Sequence, residues 1–290
     1  MKWEMDVRNI PEWLVHLEQY EQASARMVEE NHYEPLSEDI WIENENDAQF
    51  SSGIRAGISL CSIFHEVAFD NYCAFINLLK PEAKPIAAFV CLRSLLEACA
   101  NILYIYDNSI DLKERYRRSC ALEIKNLHER KKFNQTIQDQ MGFSHEEFAA
   151  DIKKCLNREN AIKQQASSLG MVIKDEEIRP GYTKLIEQVL GAKAEYQILS
   201  GVSHGLFWST QVLFFEPHKE MAKQEGLIPD EKTLKTTFIY WGCNLALVSM
   251  CRVEWAIWRA HKWDIISLES LIKNTYKNLH FPSKDLPWNI

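Results

Sequence analysis

Glycine and proline are scarce in this 290-residue chain, ten and nine in all, which suits long helices better than many turns. No segment of length alternates with a period of two, and no Asn-Gly or Asp-Gly hairpin signal occurs, so strands are not expected. The eight cysteines, at positions 61, 73, 91, 99, 120, 155, 243 and 251, form no CxxC pair. That spacing excludes zinc ribbons and disulfide frameworks and points to reduced core thiols in a cytoplasmic protein. G-x-G-x-x-G, Walker A, H-E-x-x-H and G-x-S-x-G motifs are all missing. Glu-x-x-His occurs once, as Glu29-x-x-His32, whereas a carboxylate-bridged di-metal bundle needs it twice. No metal and no other cofactor is expected. Residues 1–11 carry charges of both signs and no apolar run, so no secretory leader is expected.

Long hydrophobic runs are few as well. The longest stretches without a charged side chain are Tyr196–Phe215 and Thr236–Cys251. The first is interrupted by Gln197, Ser200, Gly201, Ser203, His204, Ser209 and Gln211, and the second is too short to span a bilayer. Both read as buried helices, and no membrane association is expected.

What the chain has is apolar and aromatic mass: 46% hydrophobic residues, with nine Trp, ten Tyr and thirteen Phe, enough for a sizeable core. Apolar positions recur at helical spacing over 10–30, 47–80, 85–107 and 111–140. A capping box, Ser144 with Glu147, opens a further helix that Gly170 closes. A loop over 171–181 and a short helix over 182–190 follow. Residues 192–215 are expected to be helical with a break near Gly201 or Gly205. A long helix capped by Asp230 reaches about Lys262, and a final helix spans 264–279. The fold class is all-α, a multi-helix bundle. The expected organisation is an acidic N-terminal helical arm and connector (1–50), one bundle domain (51–280) and a tail (281–290).

Charge is unevenly spread. Residues 1–50 hold thirteen acids against Lys2, Arg8 and Arg26, while the whole chain carries −8. Residues 111–134 hold eight bases against four acids. That basic helix either meets phosphates or pairs with the acidic arm, and the net acidity argues against a dedicated duplex-DNA binder.

Chemistry should sit where polar residues interrupt the most apolar helices. Arg93 and Glu97 are one turn apart on the helix least able to see water, and Asn101 continues their stripe. A lone buried charge is heavily penalised, so these must pair, either as a structural ion pair or as a pocket floor. Tyr196, Ser200 and His204 follow at i, i+4 and i+8 on an apolar helix, with Gly201, Ser203 and Gly205 allowing close approach. His204 is the candidate for acid–base work. Arg252, eight residues after Asn244, is a weaker choice because it could bond Glu254 or turn outward. The candidate set is therefore Arg93, Glu97 and His204 in catalytic roles, with Asn101, Tyr196, Ser200 and Arg252 binding a ligand.

R93-S-L-L-E97 followed by Y196-x-x-L-S200-x-x-x-H204-G resembles the pattern of uncharacterised bacterial helical families related to the HEPN superfamily, over roughly residues 55–215. The resemblance implies a HEPN-like helical core, homodimers, a place in bacterial defence or toxin systems, and metal-independent ribonuclease chemistry from an R-x(4–6)-H motif. The one match to that motif is Arg26-x5-His32, inside the acidic arm where RNA is repelled. The resemblance therefore implies a chain that either lacks the nuclease motif or uses Arg93, Glu97 and His204 in its place. Three functions stay open: binding or cleaving RNA or a nucleotide-like anion, acting as a non-catalytic subunit for a protein partner, and binding a small molecule in an aromatic-lined pocket.

Overall fold

The computed structural model describes residues 10–30, 40–42, 46–80, 85–141, 145–178, 181–214, 236–281 and 286–287. Among these every regular element is helical: α1 (Ile10–Glu30), α2 (Ser51–Leu78), α3 (Pro85–Ile105), α4 (Leu112–Met141), α5 (His145–Ser168), α6 (Asp175–Ile178), α7 (Tyr182–Leu190), α8 (Lys193–Ser203), α9 (Phe207–Phe214), α10 (Thr236–Ala260) and α11 (Ile265–Asn278). The expected all-α class holds. The short helix α6 replaces part of the expected loop, and the break after α8 falls at Gly205, whose φ of +66° favours glycine. Gly170 (φ +70°) ends α5 as expected. Ser144 and Asp230, expected as caps, lie outside the described residues.

Contacts sort the chain into two units. One unit comprises residues 1–33, 64–103 and 182–290, the other 34–63 and 104–181. Helix α1 is thus part of the first unit's core. Its apolar stripe, Trp13, Leu14, Leu17 and Tyr20, is buried, and α1 packs on α10 and α11. Phe281, expected to open the tail, is buried too.

Aromatic rings organise the first unit. Trp13 lies 5.0 Å from Tyr240, Tyr240 5.1 Å from Phe281, and Phe281 5.9 Å from Tyr276, all edge to face, the arrangement that ring quadrupoles favour. Phe89 of α3 sits between Phe75 and Trp241, at 6.2 and 6.3 Å. Gly242 makes this possible, since a Cβ there would come within 3.0 Å of the Phe75 ring.

A buried ion pair joins α2 to α10 in the same unit. His65 Nε2 lies 3.1 Å from Glu254 Oε1, with side chains 23% and 4% exposed. Burial works against a charge on His65, but the charge and hydrogen bond of Glu254 outweigh it and hold the imidazole above its ordinary value.

In the second unit α4 and α5 run antiparallel. Arg158 bonds Glu123 at 2.7 Å, His128 meets Glu159 at 3.0 Å, and Arg130 and Asn134 both bond Asp151, at 2.5 and 2.6 Å. Their apolar faces enclose Ile54, Ile58, Tyr116, Cys120, Ile124, Ile162 and Ala166. The first turns of α2 approach α4 closely through Gly53 and Gly57. A Cβ on Gly57 would lie 2.6 Å from the Ser119 Cβ and 3.2 Å from its Cα.

All eight cysteines are free thiols. Burial pushes Cys73 and Cys120 up to about 12, so they are poor nucleophiles at neutral pH.

Two measurements check this account. Gly57→Ala should cost about 1–3 kcal/mol by overpacking, read as a lower denaturation midpoint. His65→Gln should cost about 1.5–3 kcal/mol at low pH, the worth of a hydrogen bond to a charged group. Because the folded value of His65 is raised, its contribution is complete below the unfolded value of about 6.5 and fades as pH rises through the folded one. Thermal melts of wild type and variant should therefore converge on going from pH 6 to pH 9; a gap that widens refutes the pair.

Candidate functional site

Helices α3 and α8 build the site. Helix α3 forms because Ile86 to Ile105 is apolar on nearly every face. It is the one described helix long and apolar enough to cross a membrane by length and composition, although 56% of that window is buried. Arg93 and Glu97 interrupt it one turn apart, so both side chains leave the same face.

Arg93 Nε donates to Glu97 Oε1 at 2.9 Å. Tyr196, contributed by α8, donates its hydroxyl to the same oxygen at 2.7 Å, and the Arg93 guanidinium lies 5.7 Å from the Tyr196 ring centre. Asn101 closes the inner end, its amide donating to the Glu97 carbonyl at 2.8 Å and to the Tyr182 hydroxyl at 3.5 Å. Arg93 and Glu97 remain 23% and 21% exposed, so the group is reached from solvent while its inner members are dry.

The electrostatics follow from these bonds. Burial disfavours the charge on Arg93, but the bonds to Tyr196 and Glu97 reverse that and raise its value, so it stays a cation. The Tyr196 phenol is pushed up to about 12, first by burial and then by its bond to Glu97. At neutral pH it is a proton donor held in place and not a base. Arg93 Nε is used on Glu97, and the guanidinium stays partly exposed, which leaves donors of the fork for an anion.

The other candidates lie elsewhere. Ser200 sits one turn beyond Tyr196 and lines an open depression with Thr183, Gln197, Gly201, Leu206 and Trp208. His204 is an exposed residue at the C-terminal cap of α8, and its ring makes no hydrogen bond or ion pair among the described residues. The structure does not bring it to the Arg93 group. Eight residues of helix advance about 12 Å and turn about 80° off the starting face, so the Tyr196–Ser200–His204 stripe is not one patch.

Arg252 is half-buried on α10, and burial lowers its value. The partner envisaged for it, Glu254, bonds His65 instead. His65 is a residue that sequence reasoning missed, although it lies on the stripe of Cys61, Ala68 and Tyr72, where a polar residue needs a partner. Gln197 stood out only as a polar break in an apolar run, and Thr183 and Trp208 carried no signal.

The basic helix is settled within its own unit. Arg118 bonds Glu114 at 2.8 Å, the Tyr104 carbonyl at 2.9 Å and Asp107 at 3.1 Å. Arg115 donates to the carbonyls of Ile105 and Asp107 under the Trp41 ring. Arg117 pairs with Glu114 and Glu177. These three arginines serve as internal ties. The motif pair Arg26 and His32 offers no geometry: Arg26 bonds the Gln22 carbonyl at 3.2 Å, and His32 lies outside the described residues.

The chain matches no protein-family model, no curated protein and no solved structure. Among the described residues no group of three or more His, Cys, Asp or Glu is placed to hold a metal ion.

A double-mutant cycle checks the cluster. Tyr196→Phe and Glu97→Gln should each cost about 1 kcal/mol and couple by about 0.5–1.5 kcal/mol in urea melts. Strict additivity would mean that the two side chains do not meet in solution.

Proposed function

We propose that this chain is a HEPN-like helical protein that binds a nucleotide-like or RNA anion at Arg93, as part of a bacterial defence or toxin-type system. The observation that carries the reading is the Arg93–Glu97–Tyr196 group. It is drawn from segments 99 residues apart, internally bonded, and still open to solvent at its cation.

A structural ion pair would also use the tyrosine, to satisfy the carboxylate. What favours an anion site is that the guanidinium so held stays partly exposed, because orienting it in advance lowers the cost of binding. Glu97 holds the cation in place, and Tyr196 supplies a proton-bearing hydroxyl beside it. If the bound phosphodiester is cleaved, the base must come from elsewhere, since Tyr196 holds its proton at neutral pH. His204 would serve only if the ligand spans the distance along α8.

A second reading has its own support. Ile86 and Val90 are exposed one turn apart on α3, on the helix that carries Arg93. They favour a protein partner, or a second copy of the chain, over a soluble ligand alone.

The test is direct. Isothermal titration with a short single-stranded RNA should show binding that Arg93→Ala weakens at least tenfold and Arg93→Lys only in part. The slope of log K against log salt should fall by about 0.7 in Arg93→Ala, the change expected when one phosphate of a single strand is no longer neutralised. Absence of phosphate-dependent binding to the folded wild type, or an Arg93→Ala variant that binds as well, ends the proposal.

A further inference from the structure

The depression beside the Arg93 group is built differently from its surroundings. It is lined by Thr183 of α7, by Gln197, Ser200 and Gly201 of α8, and by Leu206 and Trp208 at the start of α9. Its volume is about 350 Å³, near the lower end of what small-molecule sites occupy and suited to a single ring system. None of its lining side chains carries a charge.

Its polar groups stand apart from those nearby. Elsewhere on these helices hydroxyls bond back to the preceding turn: Ser203 to the Leu199 carbonyl at 2.9 Å, Ser209 and Thr210 to that of Leu206 at 2.7 and 3.3 Å. Among the described residues, the hydroxyls of Thr183 and Ser200, the Gln197 amide and the Trp208 indole N–H make no such bond. Four neutral polar side chains thus line one hollow without a hydrogen bond to any described residue.

The wall of the hollow is aromatic and held outward. The chain turns at Gly205 and presents Leu206, Phe207 and Trp208 at 46%, 68% and 49% exposure. Gly201 seats Trp208, since a Cβ there would lie 3.1 Å from the indole Cζ2 and 2.7 Å from the Ser209 Cβ. Three consecutive large apolar side chains kept in water are a cost that binding would offset.

From this we infer that the depression receives a flat heteroaromatic ring of the nucleobase type, stacked on Trp208 and read at its edge by Gln197, Ser200 and Thr183. A carboxamide presents a donor and an acceptor side by side, which matches the paired groups on a base edge. An indole face gives stacking that tolerates any base. The uncharged lining disfavours a phosphate or carboxylate inside the hollow; the cation for such a group would be Arg93, which meets Tyr196, one turn before Ser200 on α8. The inference rests on the anion reading only for the phosphate; the ring itself needs no charge.

Titrating the full chain with adenosine, cytidine, their 5′-monophosphates, a ten-nucleotide RNA and a set of methyl glycosides separates the possibilities. Nucleosides should bind, and Trp208→Ala and Gln197→Ala should each weaken them at least fivefold, with Trp208→Phe retaining most of the affinity. Both sites are exposed, and unchanged circular dichroism would show that the variants fold. RNA bound more tightly than the monomer, with the same Trp208 dependence, assigns the base to a strand; monomer binding alone assigns it to a free nucleotide; either supports the inference. Glycosides preferred over nucleosides, or nucleosides that bind Trp208→Ala as well as wild type, overturn it. Monophosphates that bind through Arg93 while nucleosides do not bind would overturn the base site and leave the anion site standing. Nucleoside binding with no gain from the phosphate would do the reverse.

Discussion

A charge removed from water must be met by a partner, and that constraint shapes both units of this protein. Glu254 is almost wholly buried and is met by His65, which ties α2 to α10. Arg115 and Arg118 are buried as well, and their partners are the last carbonyls of α3 together with Asp107 and Glu114. Helix ends leave carbonyls unsatisfied, so an arginine placed there answers two needs at once.

The same constraint separates the candidate site from its surroundings. At its inner side Glu97, Tyr196, Asn101 and Tyr182 satisfy one another. At its outer side the Arg93 fork is only partly used, and in the neighbouring hollow a set of neutral groups is used by no described residue. Bonding potential that the protein does not consume is what a ligand can take up. The arginines of α4 show the contrast. They give the strongest basic signal in the sequence, and they are spent on Asp107, Glu114 and Glu177 inside the fold.

Much of the fold was legible in the sequence. Helices α1, α7 and α11 begin and end within a residue of their expected bounds, because periodic apolar stripes decide them. Helix α6 was not legible: four residues carry too little pattern to separate a turn of helix from a loop. The pairing of Arg93 with Glu97 was legible too, since four residues on a helix bring side chains together whatever surrounds them. His65 with Glu254, 189 residues apart, was not, because no local rule joins them. His204 shows the opposite failure. Spacing put it on a stripe with Tyr196, but the rise and drift of a real helix carried it out to the exposed end of α8.

By itself the sequence determined the all-helical class, most helix bounds, the free state of the thiols and the i, i+4 pair at Arg93, all consequences of interactions over a few residues. Only the tertiary structure decided that α1 joins a core, that the chain sorts into two units interleaved in sequence, that Tyr196 reaches Glu97, and that Thr183, Gln197 and Trp208 share a hollow. Those outcomes depend on which surfaces bury one another across long stretches of chain, and a one-dimensional pattern does not encode that choice in any local window.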